Sequence, residues 1–92
     1  MKGIRGKSLK STVFDIAEGY VTVNPLFLKP LEIETIKALY KEIQKAQAEI
    51  RGERFPHNDI QEIRRRNIRL QRLHTAQMII RNFLKERRMF IV

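Results

Sequence analysis

The chain has 92 residues, no cysteine, and a formal net charge of +9 from 19 basic and 10 acidic side chains. That length supports one small domain with a limited core, and the missing cysteines remove disulfides and thiolate zinc sites as means of stabilising it. Hydrophobic residues at 42% exceed what a disordered tail carries, while no apolar run approaches the ~20 residues of a membrane span and no apolar leader follows the basic N-terminus, so a cytoplasmic domain with no membrane partner is expected.

Residues 1–11 hold two glycines, two serines and the cations Lys2, Arg5, Lys7 and Lys10, with no acid and no periodicity. They read as a flexible basic arm ahead of a single domain over 12–92. Residues 12–16 and 20–23 are rich in β-branched and aromatic side chains on either side of Gly19. This predicts a short β-hairpin over 12–23, which must pack on something or gain a strand from another chain, because an isolated hairpin is marginal in water.

Asn24 is placed to cap a single turn over Pro25–Leu28. A main helix is predicted over 30–51, with Pro30 at its first position and Glu32 and Glu34 near its positive end. Its apolar residues Ile36, Leu39, Ile43, Ala46 and Ile50 recur at alternating steps of three and four, and Gly52 reads as its C-terminal cap. Gly52, Pro56 and Asn58 then mark a turn, and Asn58 with Gln61 forms a capping-box pattern. No Gly or Pro occurs over 59–88, which predicts a second helix roughly 45 Å long at 1.5 Å per residue. The expected fold is mainly α: an antiparallel helical hairpin preceded by the β-hairpin.

The second helix changes character along its length. At about 100° per residue, Ile60, Ile63, Asn67 and Leu70 share one stripe, expected to face the first long helix, and Glu62, Arg65, Arg69 and Arg72 share the opposite one, with Glu62 its one nearby acid. Beyond that point Leu73, Ala76, Ile80 and Phe83 take over the azimuth of the arginines, while Met78 and Leu84 stay on the original side. The rear of the helix is therefore apolar nearly all round and must be covered. Cover is available from the β-hairpin, from residues 26–28, or from a second copy. A homodimer or docking on a larger assembly is expected, through Leu73, Ala76, Ile79, Ile80, Phe83, Leu84 and Phe90. A compact monomer with the hairpin as lid is the alternative.

The basic excess concentrates at the two ends: residues 1–12 carry four cations and no acid, and residues 51–92 carry ten arginines and one lysine against four acids. Arginine suits planar, bidentate contact with phosphate. Arg65, Arg69 and Arg72, flanked by Arg64 and Arg66, have a spacing that can follow backbone phosphates. A solvated face, with some arginines pairing Glu42 and Glu49, is the plainer alternative. The expectation is a non-enzymatic nucleic-acid-binding protein, DNA or RNA undecided, contacting phosphates through Arg64, Arg65, Arg69 and Arg72 with Lys2, Arg5, Lys7 and Lys10 as a closing arm. The alternative is an adaptor that oligomerises or docks through its apolar C-terminal helix.

Asn67 and His74, on the apolar stripe, are read as interface residues, Asn67 fixing register. The aromatic residues Phe14, Tyr20, Phe27, Tyr40, Phe55, Phe83 and Phe90 are read as core. No phosphate loop, nucleophile elbow or metal-ligand spacing occurs, so neither an enzyme nor a cofactor is expected. Pro56-His57 with segment 63–70 resembles the second helix of the small helical-hairpin protein of the large ribosomal subunit, a family with no N-terminal hairpin and no apolar C-terminal extension. Segment 79–92 is similar to the basic helix ends of GINS replication subunits. Both resemblances cover little of the chain, assign no family, and imply only a nucleoprotein assembly.

Overall fold

The computed structural model describes Ile4 and residues 6–88; Lys2, Arg5 and Phe90 lie outside the described residues. Four helices are present among them: α1 (Leu9–Glu18), α2 (Pro25–Leu28), α3 (Ile33–Gly52) and α4 (Ile60–Glu86).

α1 overturns the β-hairpin predicted over 12–23. Its buried residues are Leu9, Thr12, Val13, Ile16 and Ala17, whose steps of three and one describe one helical face. The Ser8 hydroxyl accepts from the Ser11 N–H at 3.1 Å and caps the start. Gly19, at φ +86, closes the other end, its N–H donating to the Ile16 carbonyl at 3.2 Å. The β-branched residues that suggested strands are thus spaced for a helix, and burying that face outweighs a weak preference for extended backbone. Residues 21–24 form no regular element, and among the described residues the β pairing is a single isolated bridge, between Ile4 and Lys7.

The arm is also reassigned in part. Leu9, Lys10 and Ser11 begin α1, and Ile4 is buried in the core. Reciprocal backbone bonds of 2.8 and 2.9 Å between Ile4 and Lys7 fold the chain back here.

α2 is the capped single turn that the sequence suggests: the Asn24 side chain accepts from the Phe27 N–H at 2.8 Å, and Pro25 opens the helix. α3 starts at Ile33 rather than Pro30, which stays in the connecting turn, and Gly52 is its last helical residue rather than a residue past its end. Ile36, Leu39, Ile43 and Ile50 are buried as the spacing predicts, joined by Tyr40 and Gln47, and Ala46 is half-buried. α4 is unbroken from Ile60 to Glu86 and is capped by Asp59, not Asn58: the Asp59 carboxylate accepts from the Glu62 N–H at 3.1 Å.

α1 and α3 pack against each other and against α4, and α2 packs on α4 as well. Together they bury Leu73, Ala76, Ile80, Phe83 and Leu84. The cover expected from a hairpin or a second copy is therefore supplied within the chain, by the helix that replaces the hairpin. Upstream of Leu73 no residue of α4 is buried. The stripe expected to face the first long helix opens to water at Ile60, 73% exposed, and at Asn67, while Ile63 and Leu70 are half-buried. Three helices share the rear of α4, whereas its first turns bury no residue and leave Ile63, Arg66 and Arg69 half-buried. The loop before these turns is tied down by Arg66, whose guanidinium lies 5.2 Å from the centre of the Phe55 ring, itself 4.9 Å from His57.

Candidate nucleic-acid interface

The first half of α4 carries its arginines on the azimuth that holds the core farther along. Where α4 leaves the core, that side meets the C-terminal end of α1. Arg65 Nη2 lies 3.4 Å from each carboxylate oxygen of Glu18. Arg69 Nε stands 3.5 Å from the same carboxylate, at ion-pair distance but without hydrogen-bond geometry. Arg72 Nη1 donates to the Ala17 carbonyl at 3.1 Å. This satisfies one of the carbonyls left unpaired at a helix end and sets positive charge against the negative end of the α1 dipole. The guanidinium passes so close to Gly19 that an added Cβ would come within 2.9 Å of its central carbon. Gly19 thus answers two demands, a left-handed backbone and room for Arg72.

Arg64, Arg65, Arg69 and Arg72 line one shallow groove of about 280 Å³ with Gln61, Ile68 and Glu18. Glu18 is the one carboxylate among the described residues that line it, and it meets Arg65 and Arg69 only, Arg69 also bordering an acidic groove on its other side. Arg64 is exposed and makes no ion pair among the described residues. The pairing considered with Glu42 and Glu49 is not made. Those two acids line a separate groove of about 370 Å³ with Glu53, Lys10, Phe14 and Arg69.

The described lysines of the arm do not join the arginines. Lys7 is bound to Asp15 at 2.7 Å, and Lys10 faces the acidic groove. Of the expected oligomer interface, Leu73, Ala76, Ile80, Phe83 and Leu84 are buried in this chain's own core and Ile79 is half-buried against it. That surface is spent on folding. His74 and Asn67 are exposed, so neither holds a core position within the chain. The aromatic residues divide: Tyr40 and Phe83 are core and Phe27 packs on it, whereas Phe14, Tyr20 and Phe55 are exposed, at 55%, 75% and 39%.

The partners of the arginine stripe, Glu18 and the Ala17 carbonyl, were missed because they belong to a helix read as a hairpin. The signal was present in the steps from Leu9 to Ala17 followed by glycine. Among the described residues no cluster of three or more His, Asp or Glu side chains could hold a metal ion, and no helix is long and apolar enough to cross a membrane. No family model, curated protein or solved structure matches the chain, and the two short resemblances find no support there.

Proposed function

We propose that this is a non-enzymatic nucleic-acid-binding protein that holds phosphate backbone in the groove between the front half of α4 and the end of α1. The observation that supports this reading is the charge of that groove, four arginines against one carboxylate, on a helix segment that buries no residue of its own. Guanidiniums so placed suit phosphate oxygens, and Glu18 holds Arg65 and Arg69 in position while leaving donors on both. The rear of α4 is the scaffold, since its apolar surface is consumed by α1, α2 and α3.

Arg64 gives the clean test, because it is exposed and makes no ion pair that folding needs. In fluorescence anisotropy with duplex and single-stranded oligonucleotides, Arg64→Glu is expected to weaken binding on the order of tenfold at low salt. Its helical circular dichroism should match the parent. Binding by Arg64→Glu equal to the parent, or a parent that binds no nucleic acid at low salt, would overturn the proposal.

A further inference from the structure

The proposed groove is continuous with a further exposed face of α4 that shares Arg64 and Ile68 with it. At about 100° per residue, Arg64, Asn67, Ile68 and Gln71 fall within an arc about 100° wide, on the side away from the core residues Leu73 and Ile80. All four are exposed, with Ile68 at 38%. Arg65 and Arg72 flank this stripe on one side, and Glu62, the acid of the first turn, lies on the opposite side of the helix. Asn67 makes only a long contact, 3.4 Å, with its neighbour Arg66.

These residue types are the ones that read base edges. Asn and Gln pair bidentately with adenine, Arg with guanine, and an apolar side chain meets the thymine methyl. From Arg64 to Gln71 the helix rises about 10 Å, the length of three base-pair steps. The major groove of B-form DNA admits an α-helix, and the stripe from Arg64 to Gln71 is exposed along its length. The major groove of duplex RNA is too deep and narrow for side chains to read.

Resting on the nucleic-acid reading above, we infer that the ligand is duplex DNA, with α4 lying in the major groove, Asn67 and Gln71 reading bases, and Arg64, Arg65 and Arg72 on the adjoining phosphates. The test is selection of bound duplexes from a randomised pool by the full chain, followed by anisotropy on the enriched sequence and on a duplex RNA of the same sequence. Enrichment of a short motif is expected, with duplex RNA at least about tenfold weaker. Asn67→Ala and Gln71→Ala, both at exposed positions where alanine favours helix, should each relax preference at one or two base pairs by about tenfold and leave the salt dependence unchanged. Binding without any enriched motif, a motif untouched by both substitutions, or equal affinity for duplex RNA would overturn this inference and spare the phosphate reading. A chain that binds no nucleic acid would overturn both.

Discussion

Gly19 and Arg72 form the tightest link between the scaffold and the groove. Gly19 stands at φ +86, a conformation that costs an L side chain roughly 1–2 kcal/mol. Its missing Cβ also leaves space for the Arg72 guanidinium. Gly19→Ala is therefore expected to lower unfolding free energy by about 1–3 kcal/mol in urea titration. Part of that cost should vanish when Arg72 is shortened as well, so the double variant Gly19→Ala/Arg72→Ala is expected to lose less than the two single changes added together. Strict additivity would show that the close approach carries no energy. Glu18 behaves differently. Its partner Arg65 is half exposed, so the pair is screened by solvent and contributes about 1 kcal/mol or less. Glu18→Gln should leave stability within that range while strengthening nucleic-acid binding, because the only carboxylate in the groove is gone. Weaker binding by Glu18→Gln would mean that positioning Arg65 and Arg69 outweighs neutralising them.

α4 is one continuous helix with two kinds of support. Its rear buries one face against three helices and leaves Met78 exposed on the other; its front is held by Arg66 against Phe55 and by Arg65, Arg69 and Arg72 against the end of α1. Amide hydrogen exchange should therefore be faster over 60–68 than over 73–84, since the front buries no side chain. Equal protection along the whole helix would contradict this division. The same helix shows what the sequence made legible. The step pattern of Ile36 to Ile50, the cap at Asn24 and the change of face between Arg72 and Leu73 are local regularities, and each reappears in the structure. The cap expected at Asn58 is instead made by Asp59, and the Ser8 cap falls in the segment read as an arm. The identity of what covers the rear of α4 is not local. It depends on residues 9–18, where side-chain types favour a strand and side-chain spacing favours a helix, and the long-range contact with α4 decides between them. Misreading that one segment displaced the partner of the arginines from Glu18 to Glu42 and Glu49, and moved the cover of Leu73 and Ile80 to a second copy.

At the scale of the whole molecule, the chain is elongated, with principal extents of 44 × 26 × 21 Å. The core residues of α4 lie over 73–84, and the groove arginines lie over 64–72, with Arg81, Lys85, Arg87 and Arg88 exposed at the rear end. A core complete within the chain is expected to sediment as a folded monomer at micromolar concentration; a dimer that separates only on unfolding would contradict that. The claim on which the functional reading turns is that Arg64 and its neighbours displace counterions from a nucleic-acid backbone. Its most direct measure is the slope of log affinity against log salt on duplex DNA, for the parent chain and for Arg64→Ala. The parent should show a slope of roughly −3 to −4, from contacts by the four groove arginines, and Arg64→Ala should be shallower by about 0.9. A parent slope near zero, or the same slope for both proteins, would contradict the groove as the place where phosphates bind.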